Sequence, residues 1–343
     1  MKLTEITLEE ALGRPLAHDL TKIDAANGTK GARFKKGQII TEADIPVLRE
    51  MGREHLSILE LEPDELHEDD AAAALCEKLL GANCSPSSPD EGRITIRADR
   101  DGLLSYDSAM VNAVNTDADW TLATLAPHRQ VRKGQPIAGF RIRPLAMKKD
   151  RVDAAVRAAG KIDVLPFSPL KAGLVITGRE IVTGLVEDAF TEKFREKIAV
   201  FGGSLLGRRF CTDDSSEIAE AITSFIAEGA ELIVCTGGMS VDSDDRTPGG
   251  IGTAADRIAF RGAPVLPGAM IMLGWANAPS GGAIAIIGSP ACVVHDERTA
   301  LDKILPFVFA GADPSPYVRQ WGVGGLCEHC APCHWPACSF SGQ

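Results

Sequence analysis

The sequence predicts an α/β fold over about residues 168–311, a mostly parallel sheet sandwiched by helices, preceded by a mixed α+β domain over residues 1–167. Three observations carry this. Apolar runs at residues 174–177, 232–236 and 283–287 are near-continuous rather than alternating, which is how strands buried on both faces read. Between the runs lie stretches whose apolar residues recur at helical spacing. Each run also ends in small or polar residues, Thr177-Gly178, Thr236-Gly237-Gly238 and Gly288-Ser289-Pro290. Buried strands alternating with amphipathic helices form parallel sheets covered on both faces, and such sheets bind ligands outside the carboxyl ends of their strands.

In chain order, Leu8, Ala11 and Leu12 predict a short first helix, followed by a strand or turn over 31–40, a helix over 42–51 and an alternating strand over 55–61. The acidic run 63–70 reads as solvated, and a helix opens at Asp70 and closes near Gly81. Residues 83–92 read as a loop. Strands fill 95–135 around a helix at 108–115, a further strand spans 139–145, and a helix over 149–159 leads to the Pro-rich linker 166–169. In the second half, Phe190, Phe194, Ile198 and Phe201 share one side of a helix over 188–202. Asp214 caps the next helix with Glu217 as capping-box partner, and Ile218, Ala221, Ile222, Phe225 and Ile226 form its buried stripe. After the 232–236 strand, the loop passes through Pro248 into a helix over 249–259, and the last helix spans 299–309. Residues 312–343 form a cysteine-rich tail.

Composition bounds the function. The chain has 343 residues, 45% of them hydrophobic, with 36 Lys and Arg against 47 Asp and Glu and a net charge of −11. A negative field of this size opposes nucleic acid and anionic membrane surfaces, so neither is expected as a partner, and an anionic ligand has to be held by local N–H groups and a few cations. The start Met1-Lys2-Leu3-Thr4-Glu5 lacks a signal sequence, and no run approaches the roughly 20 apolar residues of a membrane helix. A cytoplasmic protein is expected, in which nine cysteines are buried thiols or metal ligands rather than disulfides.

The most informative stretch is the loop from Thr236 to Pro248. Adjacent Gly237 and Gly238 let the backbone approach a ligand and take positive φ, and a helix start beyond them offers N–H groups to an anion. Asp242, Asp244 and Asp245 in the same loop would repel a bare phosphate. Two alternatives follow: a divalent cation between carboxylates and phosphate, or carboxylates accepting hydrogen bonds from a donor-rich ring such as a pterin.

Thr-Gly-Gly-x-Ser-Val at 236–241, followed by Asp245 and Thr247, resembles the signature loop of the molybdopterin-binding domain shared by molybdenum insertases, gephyrin and molybdopterin adenylyltransferases. Residues 175–184 resemble that domain's opening strand and Gly-x-Glu turn, 265–268 its Pro-Gly loop, and 287–291 its Gly-x-Pro turn. Residues 11–19 resemble the amino-terminal part of insertases, and the whole chain resembles bacterial molybdopterin-binding proteins that end in a Gly-Gly-Leu-Cys tail. The resemblance implies binding of molybdopterin or adenylylated molybdopterin by Thr177, Gly178, Glu180, Thr236, Gly237, Gly238, Ser240, Thr247, Pro267, Gly268, Gly288, Ser289 and Pro290. It implies Mg²⁺ held by Asp245 with Asp242 or Asp188, and a role in maturing the molybdenum cofactor or delivering it to an apo-molybdoenzyme. We expect a homo-oligomer. The alternatives are a non-catalytic carrier or sensor, and a nucleotide hydrolase of the related domain family. Two departures stand out: Ala189 and Phe190 follow Asp188 where the family has Ser and Asn, and in Tyr106-Asp107-Ser108-Ala109-Met110-Val111-Asn112 the last two residues replace the Asp-Gly of the insertase motif.

Cys327, Cys330, Cys333 and Cys338 stand at C-x2-C-x2-C-x4-C spacing in an otherwise cysteine-poor chain. Short spacers let thiolates converge on one centre, and the spacing is compatible with zinc or with an iron–sulfur cluster, His329 and His334 being alternative zinc ligands.

Overall fold

The computed structural model describes residues 2–14, 16–17, 19–24, 29–35, 37–239 and 245–342. The first core is small. The strand Lys2–Thr7 pairs antiparallel with His55–Glu60, and Leu8, Leu16, Phe34, Ile40, Leu48 and Ile58 pack together around this ribbon. The helix expected at Leu8–Leu12 is a strand followed by a single turn. The Glu10 carboxylate accepts the Thr7 amide and hydroxyl, and the one helical bond, Ala11 N–H to Thr7 C=O, is not continued. Leu8 and Ala11 are buried at helical spacing, but pairing with a strand some fifty residues on decides the backbone.

A second core lies between the four-stranded antiparallel sheet, in the order Cys84–Pro86, Arg93–Ala98, Pro136–Ile142, Trp120–Thr124, and the helices Glu68–Leu79 and Lys149–Ala158, with Leu75, Leu79, Ile94, Ile96, Trp120 and Phe140 inside. The acidic run at 63–70 is not wholly solvated: Glu65–His67 pairs with Ala146–Lys148, and the helix starts at Glu68, two residues before the expected Asp70. The 166–169 linker is not free either, because Phe167 packs on the next core and the Ser168 amide donates to the Phe309 carbonyl.

From Lys171 the expected α/β layer appears. Six strands are ordered Ser204–Cys211, Lys171–Thr177, Leu232–Thr236, Ala283–Ser289, Met272–Asn277, Arg257–Arg261. The first four run parallel and the last two antiparallel. Alternate residues of one strand serve the two faces. Leu232 and Val234 meet Phe194, Leu301 and Ile304 on one side, while Ile233 and Cys235 meet Ile218, Ile222 and Phe225 on the other. The helix expected over 249–259 spans Thr247–Ala254, because Arg257–Arg261 joins the sheet beside Met272–Asn277. Asp214 caps the Ser215–Ala227 helix through the Ser216 and Glu217 amides, but the Glu217 carboxylate turns back to the Thr212 amide and hydroxyl, so the expected capping box is only half made.

The tail is part of this layer rather than an appendage. Trp321 is fully buried and Phe340 nearly so, both within the core that contains the Ala300–Phe309 helix.

Candidate functional site

Three neighbouring parallel strands end together. Thr236 stands opposite Ile176 on one side and Ser289 on the other, so Thr177-Gly178, Thr236-Gly237-Gly238 and Ser289-Pro290 lie along one edge of the sheet. The strand Met272–Asn277 starts opposite Gly288, which brings the preceding loop with Pro267 and Gly268 to the same edge. There the Pro267 carbonyl accepts the Ala300 amide at 3.0 Å. A Cβ on Gly268 would come within 2.9 Å of that same nitrogen.

The glycine pair is required by sterics. Gly237 has φ +89° and a Cβ there would stand 2.3 Å from the Thr177 carbonyl oxygen; Gly238 has φ +54° and its Cβ would stand 2.9 Å from the Thr247 hydroxyl. Both conformations lie where L side chains are strained. Three threonines hold this turn. Thr247 Oγ1 donates to the Gly237 carbonyl at 2.8 Å, and Thr177 Oγ1 lies 3.1 Å from both the Thr236 carbonyl and Thr247 Oγ1. Thr177, Thr236 and Thr247 are all buried, so the hydroxyls of Thr177 and Thr247 brace the loop from within rather than project from it. Gly288 serves the loop from below, since a Cβ there would meet the Met239 thioether at 2.7 Å.

Two polar atoms at this edge are left without partners among the described residues: Ser289 Oγ and Asp245 Oδ2, both inaccessible to solvent. Buried polar atoms are nearly always hydrogen-bonded, so each needs an explanation, and an absent ligand is the direct one at a sheet edge of this type. Glu180 is exposed, and the place a Gly178 Cβ would take lies 2.8 Å from its carboxylate. Ser240 and Asp242, with Asp244, lie outside the described residues.

Asp188 is engaged by its own helix and by Arg208. One oxygen accepts the Phe190 and Thr191 amides at 2.9 and 3.0 Å, and the other accepts the Thr191 hydroxyl and Arg208 Nη1. All four acceptor positions are filled. Burial opposes its charge, but the Thr191 hydroxyl, the two amides and Arg208 together hold its pKa below the ordinary carboxylate value. It caps the Phe190–Ala199 helix, and the Ser-to-Ala and Asn-to-Phe departures after it leave that cap intact.

Cavities lie elsewhere too. One of about 450 Å³ opens beside Leu170, Glu231 and Ala283, at the amino ends of the parallel strands, and one of about 500 Å³ lies among Tyr106, His128, Lys161 and Tyr317. The carboxyl edge is the better candidate because, among the described residues, it combines two buried oxygens without a partner, Ser289 Oγ and Asp245 Oδ2, with the glycine turn. Of potential metal ligands, the single set of three with donor atoms within 4.8 Å among the described residues is His67, Glu68 and Asp69. Sequence reasoning passed over this set; its His67 Nδ1 accepts the Asp69 amide as a helix cap. Cys327, Cys330, Cys333 and Cys338 are free thiols and are not drawn onto a common centre. Cys84 and Cys211 are pushed up to about 11 by burial and Cys235 higher still, which makes them inert packing groups.

A family model described as "probable molybdopterin binding domain" matches residues 173–310. Residues 5–60 match a separate domain of unknown function, coincident with the first small core. Curated relatives of the chain include a CinA-like protein of Mycobacterium sp. (strain MCS), 34% identical over 77 residues, 22% of this chain and 18% of that protein. A CinA-like protein of Mycobacterium tuberculosis (strain ATCC 25177 / H37Ra) is 38% identical over 78 residues, again 22% and 18%. The match therefore spans less than a fifth of these relatives' length. Among solved structures, the molybdopterin biosynthesis enzyme MoaB of Thermus thermophilus aligns with 40% of this chain and 90% of its own, at 19% identity and a TM-score of 0.34. No helix among the described residues is long and apolar enough to cross a membrane.

Proposed function

We propose that the chain binds molybdopterin, free or adenylylated, at the carboxyl edge of the sheet and acts in molybdenum cofactor biosynthesis. The observation that carries this reading is the pair of buried oxygens without a partner among the described residues, Ser289 Oγ and Asp245 Oδ2, beside the positive-φ turn at Gly237-Gly238, in a segment that matches the molybdopterin-binding family model. A carboxylate oxygen only accepts and a hydroxyl does both, so the pair suits a ligand that offers ring N–H donors together with an anion. A pterin phosphate has both. In this reading the Gly237-Gly238 turn lies against the phosphate, Asp245 accepts from the pterin or holds a cation, and Ser289-Pro290 with Pro267-Gly268 shapes the pocket walls. Thr177 and Thr247 keep the turn rigid without touching the ligand.

Mg²⁺ belongs to the proposal through Asp245 with Asp242, because the acceptor positions of Asp188 are taken by its own helix and Arg208. A bound cation would neutralise charge between Asp245 and phosphate. A second reading, a nucleotide hydrolase of the related domain family, has a nucleotide as ligand of the same edge, and the adenylylated ligand spans both. Incubating the full chain with adenylylated molybdopterin, molybdate and Mg²⁺ and measuring AMP release tests turnover. Asp245→Asn should reduce release by orders of magnitude if the chain is an enzyme. Tight binding without AMP release identifies a carrier, and absence of binding to molybdopterin in either form removes the reading.

A further inference from the structure

The four tail cysteines meet a surface of unusual charge. Lys197 and Arg298 share the Asp302 carboxylate at the amino-terminal end of the Ala300–Phe309 helix, and Lys303 follows Asp302 in sequence. Asp302 takes Lys197 Nζ at 2.8 Å and Arg298 Nη1 at 3.0 Å, and both side chains of the lysine–aspartate pair are more than nine-tenths buried. Glu297 reaches Arg298 only at 4.0 Å and from an exposed position, where solvent screens it. Among the described residues, three buried or half-buried cations against one buried carboxylate leave two positive charges. Lys303 carries one of them and is itself buried. Among the described residues its ammonium finds only carbonyls, those of Phe340 at 2.8 Å and Gly342 at 3.3 Å, under the rings of Trp321 and Phe340. Arg298 Nε is inaccessible to solvent and has no acceptor among the described residues. A buried ammonium without a counter-ion is costly.

The segment that covers this charge is the one that carries the thiols. Arg298 lies over the ring of Trp335, which stands between Cys333 and Cys338 in sequence, at 5.6 Å, and Phe340, whose carbonyl and ring receive Lys303, follows Cys338 by two residues. Cys327 is held separately, its amide donating to the Leu266 carbonyl at 2.8 Å while Leu266 donates to Gly325. At the rim, Asp296 pairs with exposed His329 at 3.6 Å. Between Cys327 and Cys338 the backbone forms no helix or strand, so spacers of two, two and four residues can close without breaking an element.

We propose that Cys327, Cys330, Cys333 and Cys338 close on a thiophilic metal centre whose negative charge is the counterpart of Arg298 and Lys303. Four thiolates around a divalent zinc ion, or around an oxidised four-iron cluster, carry a net charge of about −2, matching the two uncompensated cations. Lys303 and Arg298 then act as positioning residues around the ligands, as partners outside the coordination sphere do at other metal sites. The inference does not depend on what the α/β domain binds. Through Leu266 the centre would also be tied to the Pro267-Gly268 loop.

The test uses the full chain, produced once with zinc and once with iron and sulfide supplied, and purified anaerobically. Metal content and visible absorbance are measured. About one zinc ion per colourless chain identifies a structural zinc site, and about four irons with broad visible absorbance identify a cluster. Cys330→Ser with Cys333→Ser should abolish stoichiometric metal, and Lys303→Met, which keeps the apolar stem, should weaken zinc about 10- to 100-fold in competition with a chromophoric chelator. A chain free of metal from both preparations that also takes up none on titration overturns the proposal. So does undiminished metal in the double serine variant. Should the variants not fold, the metal content of the unaltered chain decides.

Discussion

The hydroxyls of Thr177 and Thr247, seventy residues apart in sequence, lie 3.1 Å from each other at the end of two elements. This contact joins the first strand of the α/β sheet to the start of the helix that follows the signature loop. Through Thr247 Oγ1 and the Gly237 carbonyl it also sets the glycine turn between them.

Thr247→Val keeps the shape and removes the hydroxyl. It should leave the part-buried Gly237 carbonyl without its donor, at about 1–3 kcal/mol of stability, read from urea unfolding. Ligand affinity should fall as well, and Thr247→Ser should restore both. An unchanged unfolding midpoint in the valine variant would show that the network does not hold the turn.

Ser289→Ala separates a binding role from a packing role. Its hydroxyl is buried without a partner, so removing it should leave the unfolding midpoint unchanged or raised. Molybdopterin affinity should nevertheless drop by roughly tenfold, the equivalent of one hydrogen bond of about 1.4 kcal/mol. Full affinity in a stable Ser289→Ala protein would exclude the hydroxyl from the site. This variant is cleaner than a side chain at Gly238, where positive φ and the Thr247 hydroxyl 2.9 Å from the Cβ position would disturb the loop itself.

Asp188 predicts a pH dependence. Its native pKa lies below the ordinary carboxylate value, so the unfolded chain takes up its proton first as pH falls. The stabilisation it contributes is fully present above the unfolded value of about 3.9, and is lost as pH falls through the lower native one. Asp188→Asn should cost about 1 kcal/mol at neutral pH as a weakened cap. The difference between the two proteins should shrink below about pH 4. A gap that stays constant down to about pH 2.5 would contradict the cap.

Truncation after Gly325 should not be silent. It removes Phe340 and both carbonyls that receive the Lys303 ammonium, exposing core and leaving a buried cation with no acceptor. The expected loss is on the order of 3–5 kcal/mol, measured by thermal or urea unfolding. Lys303→Met in the truncated chain should recover part of it. A truncated chain as stable as the full one would mean the tail is an appendage.

Where local pattern and long-range pairing agree, the amino-acid sequence alone was enough. The apolar runs at 232–236 and 283–287 read as buried strands and are strands, and the ordered glycine and proline motifs pointed to their carboxyl ends as the candidate site. Local pattern failed where a distant partner decided the backbone. Leu8 and Ala11 have helical spacing, yet their segment follows a strand paired with His55–Glu60. Residues 255–259 continue a helical run but become a strand against Met272–Asn277. The role of a polar side chain was less legible still, because it depends on which donors and acceptors converge from other elements. Asp188 is a carboxylate in a family position, and only the tertiary structure shows its acceptors filled by two amides, a hydroxyl and Arg208. Ser289 and Asp245 reverse the case, since being unpartnered is a property of the folded surroundings. The cysteine spacing is local and was visible at once; the buried cations come from residues 197, 298 and 303, and Lys197 reaches Asp302 only because one helix packs beside another.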